Sequence, residues 1–175
     1  FDASVHSVLE DFREGYQIMY NYASAIIVVS HAMKRALIAH GCTESKLVLN
    51  TYGPHPDYLD GQADYDSNNL ISVGRHTYKK APYLTILAFQ KVLRKHPHLK
   101  LTMIGTGELY EVSKHMVKSL GLEDSIILPG GLQRSDIISY LKTSFMFVQH
   151  SLVAGNGDSE GTPVGIIEAM AVGLP

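Results

Sequence analysis

A single cysteine, Cys42, stands in 175 residues. One thiol closes no disulfide within the chain, so no disulfide framework holds this fold, and a reducing compartment, the cytoplasm, is the expected location. An excess of charge is missing as well. Fifteen Lys and Arg against 17 Asp and Glu leave a formal net charge of −2. No basic run or stripe appears, which argues against nucleic acid as the main partner. Long apolar runs are absent. The strongest is Ala25-Ile-Ile-Val-Val29, far short of the roughly 20 residues that span a bilayer. No secretory leader is visible. The chain opens without Met inside an amphipathic segment and stops at Leu174-Pro175 where another strand is due, so a fragment is expected. No G-x-x-x-x-G-K-[ST] occurs, which removes P-loop chemistry. The nine histidines include His96-Pro-His98 but no H-E-x-x-H, so they read as turn histidines and not as a zinc hydrolase.

Hydrophobic residues make up 45% and charged residues 18% of the chain, enough for a sizeable core. Val5, Val8, Leu9, Phe12, Tyr16 and Met19 recur at three- and four-residue steps and predict a helix over 3–21. Residues 25–29 predict a buried strand. Ser30 then caps a helix carrying Met33, Leu37 and Ile38 that ends near Gly41. A short strand follows at 46–50. Over 51–68, Gly53, Pro54, Pro56 and Gly61 with several Asp and Asn break any periodicity, as at a linker. Beyond it strands at 69–73, 99–104, 125–128 and 145–149 alternate with helices at 82–95, 108–120, 135–142 (capped by Ser135) and 162–172. That alternation predicts an α/β fold, a Rossmann-like parallel sheet with helices on both faces. In such sheets ligands bind beyond the carboxyl ends of the strands.

The residues that carry chemistry lie at those ends. Glu160 and Glu168 stand eight positions apart across the junction into the last predicted helix. Gly161 and Gly165 let a ligand come close to the backbone. Pro163, which has no N–H to leave unpaired, suits a first helical turn, and the free N–H groups of Gly161, Thr162 and Val164 around it would attract an anion. Strand 69–73 runs into Gly74-Arg75-His76-Thr77-Tyr78-Lys79-Lys80. A permanently charged fork and an ammonium at a strand end suit a diphosphate. Gly105 and Gly107 form a G-x-G turn between a strand and a helix, but Tyr110 stands where a dinucleotide fingerprint needs its third glycine.

The run Ser159–Pro175 resembles the E-x7-E segment of the GT-B glycosyltransferases, specifically the large family 4 of retaining, nucleotide-sugar-dependent enzymes, whose pattern reads S-E-G…E-A-M-A-x-G-x-P. Gly74-Arg75…Lys80 is similar to that family's "GR…K" segment. The resemblance implies that Arg75 and Lys80 hold the donor diphosphate, with Lys79 as the alternate. Ala81 stands where the family commonly has glycine. By the same resemblance Gly105 and Gly107 line the donor cleft or form an ordinary turn, and Leu132 packs on the nucleotide base or belongs to a plain strand-end turn. Glu160 orients the sugar hydroxyls, and Glu168 accepts from the ribose. Phe147-Val-Gln-His-Ser151 matches the family's strand end, with His150 in place of proline. Loop 151–159 would sit over the sugar. Residues 22–37 look like the close of the family's N-terminal domain, while Asn50-Thr-Tyr-Gly53 departs from the usual "NG.D".

The implied organisation is the C-terminal part of an acceptor domain over 1–56, a linker over 57–68 and a donor-binding domain over 69–175, truncated at its C-terminus. The implied reaction is transfer of a hexosyl group from a UDP- or GDP-sugar to a hydroxyl of a carbohydrate or glycolipid acceptor, with retention and with no metal or cofactor. Contact with the inner face of the membrane would run through the rest of the N-terminal domain. Asp64-Tyr-Asp66 has the D-x-D form that binds metal in GT-A enzymes, but it precedes its strand and lies in the linker. Two further readings remain: another GT-B chemistry such as sugar-nucleotide epimerisation or phosphorolysis, and a nucleotide-binding module without turnover.

Overall fold

The computed structural model describes residues 6–175. Backbone contacts group them into two compact units. The first ends at Gly53 and also takes Leu152–Pro163; the second is Pro54–Ser151 with Val164–Pro175.

In the first unit the expected long helix is two. α1 covers His6–Asp11 and α2 covers Arg13–Tyr22; residues 3–5 of the expectation lie outside the described residues. Phe12 leaves helical geometry at φ −110°, ψ 21°, yet Phe12 N–H still bonds Val8 O and Tyr16 N–H bonds Phe12 O. The interruption is therefore a kink. β1 (Ile26–Val28) and β2 (Leu47–Leu49) pair in parallel, Ile26 opposite Leu47. α3 (His31–Ala39) joins them, and Ser30 Oγ accepts from Met33 N–H at 3.1 Å as its cap. Tyr20, Val28, Leu37, Cys42 and Leu47 form the core. Lys46 Nζ closes the end of α2 on the carbonyls of Tyr20 and Asn21 at 2.6 and 3.0 Å.

The second unit is a four-stranded parallel sheet of β3 (Asn69–Val73), β4 (Lys100–Ile104), β5 (Ile126–Gly130) and β6 (Met146–Phe147), in the order β5-β4-β3-β6. α4 (Pro82–Leu93), α5 (Tyr110–Ser119), α6 (Arg134–Lys142) and α7 (Val164–Val172) cover it. Side chains alternate along the strands, so each face has its own core. Leu70, Leu101 and Met103 meet Ile86 and Phe89 of α4 and Val117 of α5. Ile71 and Ile104 meet Leu141 of α6 and Ala169 and Val172 of α7. This is the predicted α/β architecture with helices on both faces.

Several boundaries move. β6 pairs over two residues only, where a strand over 145–149 was expected. Ser135 does not cap α6: Gln133 holds the cap position and Ser135 lies inside the helix. α7 begins at Val164, not at 162, because the residue before a proline is disfavoured in the helical region and Thr162 is held elsewhere, its hydroxyl on Val29 O at 3.1 Å. Glu108 stays outside α5 and accepts the Tyr78 N–H at 3.3 Å. Residues 57–68, expected as a linker, belong to the second unit. Tyr58 and Ala63 are buried in its core, and Tyr65 donates to Gly173 O at 2.6 Å.

Candidate functional site

The strand order locates a crevice. From β3 the chain steps outward through β4 to β5, then returns to the opposite side of β3 as β6. The order reverses between β3 and β6, and beyond the carboxyl ends of two such strands a doubly wound sheet opens to ligand. Those ends are Gly74-Arg75 and Gln149-His150. A small cavity of about 20 Å³ lies there, lined by Gly74, Arg75, His76, Lys80, Gln149 and His150 among others.

Both predicted cations are thus at the switch point. Arg75 is exposed and Lys80 half-buried. Lys80 folds back over Gly74, its Cε 3.6 Å from where a Cβ on Gly74 would stand. Helix α7 starts at the same place. A Cβ on Gly165 would lie 2.8 Å from Val73 O, so only glycine lets the first turn of α7 reach the end of β3. A first helical turn leaves N–H groups without an intrahelical partner and carries partial positive charge.

The G-x-G turn supports this loop from behind. Gly105 and Gly107 have φ +140° and +148°. A Cβ on Gly105 would collide with Gly74 O, and one on Gly107 would stand 2.6 Å from His76 O. Gly74 N–H bonds Ile104 O, His76 N–H bonds Thr106 O and Leu109 N–H bonds His76 O, each at 2.9 Å. These glycines serve close backbone packing against the cation loop. Ala81, at the family's glycine position, has φ 41°, ψ 57°, the only positive φ outside glycine among the described residues.

Leu132 packs at the edge of the core shared by α6 and α7. Glu168 lies within α7, Val164 at its exposed start. Glu160, Gly161, Thr162 and Pro163 belong to the first unit. There a Cβ on Gly161 would stand 3.5 Å from Ser30 Oγ. Loop 151–159 is internally bonded: Ala154 N–H to Asp158 O and Gly157 N–H to Ala154 O, both at 2.8 Å. Asp64 Oδ1 accepts Asp66 N–H at 3.1 Å, the bond of an Asx turn. Among the described residues no group of three His, Cys, Asp or Glu is placed to hold a metal ion.

Residues 60–175, well over half the chain, match the family described as Glycosyl transferases group 1. The chain belongs to this family. Amylovoran biosynthesis glycosyltransferase AmsK of Erwinia amylovora is 31% identical over 177 residues, across 99% of this chain and 44% of that protein. The uncharacterized glycosyltransferase MJ1059 of Methanocaldococcus jannaschii is 29% identical over 190 residues, across 95% of this chain and 44% of that protein. The chain therefore spans less than half the length of these relatives. Among solved structures, Anabaena Alr3699/HepE in complex with UDP and glucose superposes with a TM-score of 0.74 at 18% identity, over 95% of this chain and 47% of that one. The pneumococcal O-GlcNAc transferase GtfA in complex with UDP and GlcNAc gives 0.69 at 20%, over 91% and 31%. At such identity the likeness establishes the fold, the α/β arrangement of GT-B structures.

Several site residues of this group 1 family member escaped the sequence. His76 is 3% exposed, with Nδ1 3.1 Å from Ser113 Oγ. The single Ser113 hydroxyl hydrogen goes to Leu109 O at 2.8 Å, so Ser113 accepts and Nδ1 carries the donated proton. Burial pushes the imidazole pKa down. Tyr110, the residue in the third-glycine place, meets His76 edge-on at 5.4 Å and donates to Leu128 O at 2.8 Å. Gln149 lines the cavity with Oε1 buried and unpaired, while its Nε2 bonds Ser151 Oγ at 3.2 Å. Tyr58 hydrogen-bonds to the Glu168 carboxylate, and the Arg134 charge acts on both groups. The His76–Ser113, Tyr110–Leu128 and Tyr58–Glu168 contacts join residues 18 or more positions apart, which local periodicity does not reveal.

Proposed function

We propose that this chain is the nucleotide-sugar-binding part of a retaining, family 4 glycosyltransferase that moves a hexosyl group to a carbohydrate or glycolipid hydroxyl. The observation that carries the proposal is the convergence of Arg75, Lys80 and the first turn of α7 on the switch point of the sheet. Two cations and a helix start suit a diphosphate that gains charge as the sugar departs. Fixed dipoles and charges aimed at developing charge lower a barrier without reorganising. Glu160 orients the sugar hydroxyls in this proposal, and Glu168 takes the ribose hydroxyls. Leu132 supports the base, and Gly105 and Gly107 shape the cleft wall. The anionic load is met by side chains and backbone, so the donor needs no metal ion and no cofactor. The UDP in the HepE and GtfA complexes supports a nucleoside diphosphate sugar as donor, UDP- or GDP-linked in this proposal, and AmsK, named for amylovoran biosynthesis, supports a polysaccharide pathway. Action at the cytoplasmic side of a membrane, with peripheral contact through the N-terminal domain, belongs to the same proposal.

Titration calorimetry of the chain with UDP and GDP in EDTA is the test. One of the two is expected to bind without divalent ions and without turnover of the corresponding sugar nucleotide. Binding that requires Mn²⁺ or Mg²⁺ overturns the metal-free mechanism and returns attention to Asp64 and Asp66.

A further inference from the structure

Glu168 does not stand alone in α7. The short 3₁₀ turn Pro56–Tyr58 packs against that helix, and Tyr58 is 2% exposed in a core with Ala169 and Val172 of α7 and Leu141 of α6. The Tyr58 hydroxyl hydrogen-bonds to the Glu168 carboxylate. Arg134, at the start of α6, reaches towards the same group, its Nη1 3.6 Å from Asp57 Oδ2 and its charge acting on both Glu168 and Tyr58. Two elements other than α7 therefore bear on one half-buried carboxylate.

The chemistry of this arrangement is directional. A phenol has one hydrogen to give, and Glu168 receives it. An ionised carboxylate offers about four lone-pair positions on two oxygens, so most of its accepting capacity stays open. The tyrosine ring is fixed by packing on all sides, so its hydroxyl is a rigid anchor. A free glutamate has rotamer freedom to lose on binding, and an anchored one has lost it in advance. Arg134 supplies the positive charge that favours the ionised form.

We propose that Tyr58, with Arg134 paired to its neighbour Asp57, is a positioning residue for Glu168 and fixes the carboxylate so that its open oxygen meets the vicinal hydroxyls of a nucleotide ribose. This rests on the proposed role of Glu168 as the ribose acceptor. Residues 57–68 then contribute to nucleotide recognition.

A pH signature follows. Burial pushes the Glu168 carboxyl up, while the Tyr58 hydrogen bond and the Arg134 charge pull it down; Asp57 acts on Tyr58 and not directly on Glu168. Ribose binding needs the carboxylate, so it holds above this pKa and fades as the pH falls through it. Tyr58→Phe keeps the ring and removes the hydroxyl. It raises the Glu168 pKa further and moves the acid loss of binding to higher pH.

The experiment titrates UDP and 2′-deoxy-UDP into the full chain across the acid range, for the unmutated protein, Tyr58→Phe, Arg134→Gln and Glu168→Gln. Comparison with the unmutated protein at each pH cancels the titration of UDP itself. Tyr58→Phe is expected to weaken UDP roughly tenfold at neutral pH, to narrow the preference over 2′-deoxy-UDP, and to shift the acid limb upward. Arg134→Gln is expected to shift the limb in the same direction. Should Tyr58→Phe fold poorly, the exposed Arg134 carries the pH test alone. An unchanged ribose preference and an unchanged limb in these variants overturn the proposal, as does an equal loss for both nucleotides. If Glu168→Gln itself leaves the ribose preference intact, the ribose role of Glu168 has failed, and that result is distinct from a failure at Tyr58 alone.

Discussion

At the scale of single residues, charge and backbone strain decide most of the site. Arg75 and Lys80 reach the crevice because both flank a loop whose backbone is tied to the 104–109 turn. Arg75→Ala and Lys80→Ala are each expected to weaken nucleotide diphosphate binding by about 1.5–3 kcal/mol, the range for hydrogen bonds to charged groups. The free nucleoside should be almost unaffected. Calorimetry with uridine and UDP checks this, and equal losses for both would mean the two residues act through folding. Ala81 follows Lys80 in the left-handed region, which costs an L-residue roughly 1–2 kcal/mol. Glycine relieves that strain but gives up a buried methyl worth about 0.8 kcal/mol and adds disorder to the unfolded chain worth about 0.4–1 kcal/mol. Ala81→Gly should therefore change stability by less than about 1 kcal/mol. Ala81→Val, β-branched and fully buried, should cost about 2 kcal/mol or more. Urea denaturation distinguishes the two.

At the scale of elements, the site depends on how closely a helix start and a turn approach the end of β3. Gly165→Ala places a Cβ 2.8 Å from Val73 O. Since that neighbour is backbone, α7 must move, and the expected cost is about 1–3 kcal/mol together with weaker diphosphate binding. Gly161→Ala is the control, because a Cβ there is 3.5 Å from Ser30 Oγ, an ordinary contact. Thermal melts should separate them, and equal melting temperatures would show that α7 does not need its present position. The break between α1 and α2 belongs to this scale too. Its period was readable over Val8–Met19, while the kink at Phe12 reflects local backbone geometry that a hydrophobic period does not encode.

At the scale of the whole molecule, the two glutamates fall in different compact units, Glu160 in the first and Glu168 in the second. The division of labour proposed for them is therefore tested in the full-length protein. There, Glu160→Gln should lower kcat strongly while the affinity for free UDP or GDP stays nearly unchanged, since contacts that strengthen in the transition state accelerate the reaction. Glu168→Gln should weaken the free nucleotide itself. Steady-state kinetics beside calorimetry on both variants checks the split; parallel changes in nucleotide affinity would refute it.

The alternation of short apolar strands with amphipathic helices was enough to specify the α/β class, the parallel sheet, the position of Arg75 and Lys80 just beyond a strand end and that of Glu168 within the last helix. These follow from local periodicity and from the rule that parallel sheets bind at carboxyl ends. Membership of a glycosyltransferase family was legible in two motifs, around 70–80 and 159–175, because each sets particular residue types at fixed spacing. What lay beyond reach is what arises from contacts across the chain. Strand order puts β6 beside β3 and so makes Gln149 a neighbour of Arg75. The fold-back of residues 54–68 buries Tyr58 against α7 and gives Glu168 its partner. The breakers at Gly53, Pro54, Pro56 and Gly61 spoke only of local chain direction. Whether a tyrosine in such a stretch faces water or a carboxylate depends on surfaces contributed by residues more than a hundred positions away, and tertiary packing alone brings them together.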